Sequence, residues 1–201
     1  MAALLPHLGA ALVAACIGLT IVNRFTNVRI YLVTAFIAIS TLALLPFREF
    51  PATHYVRVLT GDLSMLSFVW LTAGAIQTLL HGERIRSRQD RFTAITVIVI
   101  SLFLYPSALG LSPLDTYSIG YSPIYLGPFI FLLFVIAVWL NYWIAASSTV
   151  LALTAYHYGF MESNNLWDYI VDPVILIYCL SILVAEYKQL LSSSRQENIE
   201  K

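Results

Sequence analysis

Charge is what this sequence has least of. Charged residues make up 11% of its 201 positions, against 59% hydrophobic, whereas soluble domains carry about 25% charged residues. So little charge cannot cover the surface of a water-soluble globule. The expected class is therefore an all-α, polytopic integral membrane protein. The formal net charge is zero, so the basic footprint of a nucleic-acid binder is missing and nucleic acid is not an expected partner. Cysteine is scarce as well. Cys16 and Cys179 both sit in apolar runs, where a thiol behaves as a small hydrophobe, and a disulfide between them is not expected. Signature motifs are absent too: the chain has no HExxH, HxxxH, CxxC or GxSxG pattern and no phosphate-gripping glycine loop. The last apolar run holds no lysine before Lys188, which excludes a retinal Schiff base within it.

What the sequence has in abundance is long apolar runs. A helix needs about 20 apolar residues to cross the hydrocarbon core, and on that basis about seven spans are expected: 3–22, 30–47, 61–80, 92–111, 123–140, 142–160 and 170–188. Asn141, Tyr142 and Trp143 divide the fifth from the sixth and suit a tight hairpin at headgroup level. "LVAAC" at 12–16 has the look of a lipoprotein cleavage site. No Lys or Arg precedes it, however, and "IGLTIV" continues the apolar run past Cys16, so a retained helix is expected. Short connectors and the lack of a repeat or low-complexity linker imply one transmembrane domain over 1–188, followed by a polar cytoplasmic tail over 189–201. Ala10, Ala14 and Gly18, "TAGA" at 72–75 and "AASS" at 145–148 are small-residue stretches suited to close packing between helices of the same chain.

Basic residues fix the expected orientation. With the N-terminus outside, nine fall on inner segments (Arg24, Arg29, Arg84, Arg86, Arg88, Arg91, Lys188, Arg195 and Lys201) and only Arg48 and Arg57 on outer ones. Positive charge is retained on the cytoplasmic side, so the chain is expected to run N-out and C-in. Compactness and short loops favour a bacterial inner membrane.

That orientation collects Glu49, Asp62, Asp115, Glu162, Asp168 and Asp172 on the outer face. Some of these have a structural duty: Asp172 before Pro173, Ser122 before Pro123, and Thr60 or Asp62 before span three read as helix caps. The stretch around Trp167 and Tyr169 reads as a turn at headgroup level. Asp168 is left without such a duty.

The candidate catalytic residues are His157, Glu162, Asp168, Asp62 and Asp115, because carboxylates and a histidine on one face can act as general acids and bases. Arg48, Arg57, His54 and Trp167 are the candidate substrate-binding residues. With His7, the histidines and carboxylates of this face also offer ligands for a divalent metal such as zinc, although no spacing matches a metal motif. The expected partners are membrane lipids and a protein partner or second copy. The favoured function is an enzyme acting at the outer leaflet on a lipid or lipid-linked substrate, with an anionic headgroup held at helix N-termini. A non-catalytic membrane subunit is the alternative. A neutral-solute channel or carrier, running past Gln77, Ser147, Ser148 and Thr154, is the third reading.

Overall fold

A computed structural model of the chain describes residues 5–47, 50–82 and 87–199. Arg48, Glu49, Arg84, Arg86 and Lys201 lie outside the described residues. The fold is all-helical. Among the described residues the α-helices are α1 (Leu5–Asn23), α2 (Arg29–Leu44), α3 (Ala52–Thr60), α4 (Met65–His81), α5 (Arg88–Ala108), α6 (Pro123–Trp139), α7 (Trp143–His157) and α8 (Pro173–Ile199). A short antiparallel pair, β1 (Pro46–Phe47) with β2 (Phe50–Pro51), leads into α3. Single 3₁₀ turns stand at Ser118–Tyr121 and Leu166–Tyr169.

Every helix except α3 lies where an apolar run predicts one. By length and composition, only α5 among the described residues is long and apolar enough to cross a membrane; the apolar stretches His7–Asn23, Arg29–Leu44, Met65–His81 and Pro123–Trp139 are shorter. The expected polar tail begins inside a helix, because α8 continues to Ile199.

Local chemistry explains where the helices stop and start. Asn141 takes the left-handed conformation (φ 59°), and beyond it the Tyr142 N–H reaches back to the Ala137 carbonyl at 2.8 Å. This is a Schellman stop in which asparagine, one of the few residues that tolerates positive φ, fills the place of glycine. The expected hairpin at 141–143 is thus present. Ser87 and Asp90 cap α5 reciprocally, a capping box written in the sequence as "SRQD". Gln89 then accepts from the Ile144 N–H at 2.9 Å, so a side chain of α5 caps α7.

The main core lies between α4, α5, α6, α7 and α8, with Trp70, Leu104, Ile130, Ala152, Ile175 and Cys179 inside it. A smaller cluster of Leu19, Leu32 and Ala75 fastens α1 and α2 to α4. The small-residue stretches take part in this internal packing: Ala10, Ala75, Ala146 and Ser148 are buried, and Ala14 and Gly18 are half-buried, with Gly18 against Ile39. The outer surface of the bundle is apolar. On α6, Ile124, Tyr125 and Trp139 are 78%, 75% and 79% exposed, and exposed Ile, Leu and Val also line α2, α5 and α8.

The two ends of the bundle differ. At one, α1 and α4 are joined by the Asn23 amide donating to the Gly82 carbonyl, and α5 and α8 by an Arg91–Glu186 ion pair of 2.8 Å. At the other, the first turns of α4 and α8 meet the last turns of α5 and α7. The candidate acids gather there.

Candidate functional site

This second end encloses an open cavity of about 730 Å³. It is built from four pieces of chain. On α3, His54, Arg57 and Val58 fall at i, i+3 and i+4 and so share one face, which lines the cavity. The turn after α3 adds Asp62. The last turns of α5 add Leu104, Tyr105 and Ala108, and the segments beyond α5 and α7 add Tyr117, Glu162, Ser163, Asp168 and Asp172.

Arg57 is held by acids. Its Nη2 donates to Asp62 at 2.7 Å and to Glu162 at 3.3 Å, and its Nε donates to Asp62 at 3.1 Å. Burial works to lower its pKa, but the bonds and charges of Asp62 and Glu162 outweigh that and raise it. Glu162 is 84% exposed, so its share of the pair is screened by water. Asp62 was expected to cap span three. Ser64 takes that place instead, accepting from the Ser67 N–H at 3.2 Å, and Asp62 is free to turn toward Arg57.

Asp172 does cap α8, accepting from the Ile175 N–H at 2.7 Å, and it also accepts from the Ser64 N–H at 2.6 Å. One buried carboxylate thus closes the first turns of two helices, α4 and α8. The positive ends of these two helices thus already face Asp172 and the Ser64 hydroxyl.

Asp168 has a different set of partners. The Tyr117 hydroxyl donates to both of its oxygens, at 3.1 and 3.0 Å, and the Ser163 hydroxyl donates to Oδ2 at 2.5 Å. Among the described residues no Lys, Arg or His is ion-paired with it. Burial, then the Asp168 charge and hydrogen bond, then Tyr121 raise the Tyr117 pKa and keep it a protonated donor. Tyr105 stands nearby, within electrostatic reach of Asp172 and Asp168. Its hydroxyl oxygen is buried and has no hydrogen-bond partner among the described residues.

Asn165 holds the loop that presents Asp168. It is fully buried, accepts from the Trp167 N–H at 2.9 Å and donates to the Tyr117 carbonyl at 3.0 Å. Gly120 is what lets it fit, because a Cβ there would stand 1.8 Å from Asn165 Oδ1. The Tyr169 hydroxyl ties down the Met161 and Ser163 backbone.

The structure therefore brings Asp62, Glu162, Asp168, Arg57 and His54 to one cavity and leaves the other described candidates outside it. His157 is exposed and meets Tyr158 edge-on. Asp115 accepts from the Ser118 N–H and the Ser107 hydroxyl, a local turn. Trp167 and Tyr169 are buried within the protein, at 8% and 1% exposure: the Trp167 indole donates to the Thr116 carbonyl and packs near Phe129. The histidines disperse, with His7 bonded to the Thr53 hydroxyl at 2.8 Å and His54 stacked on Phe50. No group of three His, Cys, Asp or Glu suited to a metal forms among the described residues. Arg48 lies outside the described residues.

Tyr105, Tyr117 and Ser163 are polar cavity residues that the sequence does not single out. The only hint is Tyr105 itself, a polar tip in the last turn of an otherwise apolar span. Comparison with protein-family models, curated proteins and solved structures finds no match to this chain.

Proposed function

We propose that the chain is a seven-span protein of a bacterial inner membrane, N-terminus outside, which binds the head of a lipid or lipid-linked substrate in the outer-face cavity and acts on it with Asp168 as general base. The observation that carries this reading is convergence. Residues from α3, α5 and the segments before α4, α6 and α8, far apart in sequence, line one cavity of about 730 Å³, a volume within the range of small-molecule sites.

The membrane setting is supported by the many large apolar side chains exposed along α2, α5, α6 and α8, since extended apolar patches mark surfaces that meet a membrane or a protein. The base is supported by geometry. Asp168 already accepts two hydroxyl protons, and a substrate hydroxyl or water at the same oxygens meets an oriented carboxylate. A channel past Ser147, Ser148 and Thr154 has less support, because each of these hydroxyls donates to a carbonyl of its own helix.

The test is crosslinking in native membranes with a lipid carrying a photoreactive group in its head. Attachment should concentrate on the cavity peptides, 54–62 and 161–173, and should fall in Asp168→Asn while persisting in His157→Ala. Attachment spread along the apolar helix faces, equal in all three proteins, would overturn the reading.

A further inference from the structure

Charge at the cavity is unbalanced. Among the described residues its lining holds four carboxylates, Asp62, Glu162, Asp168 and Asp172, against the one guanidinium of Arg57 and the imidazole of His54. Two of the acids are engaged with that guanidinium, and Asp172 is engaged with two backbone N–H groups. Among the described residues, Asp168 meets hydroxyl donors and is paired with no cation. An anionic group entering here meets surplus negative charge, helix N-termini that are already capped, and an arginine already paired.

Two further observations point to what does fit. Tyr105 shares the lining with Asp168 and Asp172, within reach of their charges, and its hydroxyl oxygen is buried without a hydrogen-bond partner among the described residues. Such a group costs free energy until a ligand atom satisfies it. Tyr105 and Tyr117 are also the aromatic residues of the lining, and the face of an aromatic ring attracts a cation. A bare metal ion is a poor match, because no three ligating side chains come together among the described residues.

We infer that the cavity selects a ligand bearing an ammonium group, with Asp168 as its counter-ion, Tyr105 accepting one of its N–H bonds, and the Tyr105 and Tyr117 rings beside it. This rests on the lipid-binding reading above and names the head that such a lipid carries: amine-bearing rather than purely anionic. The same ammonium chemistry is offered by a free soluble amine.

The full-length protein in nanodiscs of equal parts phosphatidylethanolamine and phosphatidylglycerol, released into a mass spectrometer, separates these cases. Phosphatidylethanolamine should be retained over phosphatidylglycerol by about tenfold or more, the ratio expected of one charged hydrogen bond. The preference should vanish in Asp168→Asn and survive in Asp168→Glu and in Asp115→Asn, whose acid lies outside the cavity. The melting temperature of each variant, read in parallel, shows that it is folded. Retention of phosphatidylglycerol over phosphatidylethanolamine, or of both equally, overturns the ammonium inference and leaves lipid binding standing. If neither lipid is retained, lipid binding fails. Ethanolamine added alone then decides the rest: stabilisation dependent on Asp168 keeps the inference with a soluble amine as the source, and no stabilisation overturns it.

Discussion

Asp172 and Asp168 stand four positions apart in "NNLWDYIVDP", yet they do opposite work. Asp172 is 5% exposed and closes two helix starts. Removing it leaves two buried N–H donors unsatisfied, each worth about 1–3 kcal/mol. Asp172→Ala should therefore lower the unfolding free energy by about 3 kcal/mol, and Asp172→Asn, which keeps one acceptor oxygen, by about half of that. Chemical denaturation in detergent measures both, and equal losses would show that the second bond, to Ser64, does not count. Glu162, largely in water beside Arg57, should give less than about 0.5 kcal/mol on conversion to Gln.

Tyr117 supplies a pH dependence with a definite sign. Its folded pKa is raised by burial and by Asp168, so above about pH 10, the ordinary tyrosine value, the unfolded chain loses this proton before the folded one does. Stability contributed by the neutral hydroxyl is complete below that pH and drains away as pH climbs toward the higher folded value. The stability gap between the native chain and Tyr117→Phe should be constant from about pH 7 to about pH 10 and should shrink above it. A gap that widened with alkali would mean that Tyr117 is ionised in the folded state.

At the scale of elements, apolar runs predicted every helix but α3. That helix escapes because "ATHYVRVLT" is short and mixes polar and apolar residues, with His54, Arg57 and Val58 toward the cavity and Tyr55 outward. A search for spans passes over such a stretch. The segment after α7 is set by a turn. Gly159 takes positive φ (61°) and the Phe160 N–H reaches back to the Ala155 carbonyl at 3.0 Å. That stop leaves His157 on the outside and sends 161–172 inward. Nearness in sequence therefore misleads about His157 and Glu162, and convergence on Asp168 comes from a loop path that no periodicity encodes. The path rests on the fit between Gly120 and Asn165. Gly120→Ala must displace an asparagine fixed by hydrogen bonds to Trp167 and Tyr117, so a loss of about 2 kcal/mol is expected from overpacking and broken bonds. Thermal unfolding reads the loss. Phosphatidylethanolamine retention should fall with it, because Asp168 rides on the same loop. An unchanged melting temperature would mean that Asn165 can move aside freely.

For the whole molecule, composition announced a helical chain with an apolar exterior, and the exposed faces of α2, α5, α6 and α8 agree with it. Charge placed Asp62, Glu162, Asp168 and Asp172 together in the expected orientation, and they do share one end of the bundle. What composition cannot carry is the rotation of each helix about its axis, which decides that Tyr105 faces the cavity and His157 does not.

Sidedness is the most direct test, since the proposed function needs the cavity end to face outward. In a chain with Cys16→Ala and Cys179→Ala, a cysteine placed at Val58, exposed on the cavity wall, should react with a membrane-impermeant maleimide on intact cells. A cysteine at Arg88, exposed at the opposite end, should react only after the cells are opened. The reverse pattern, with Arg88→Cys labelled from outside and Val58→Cys protected, would contradict an outer-face site.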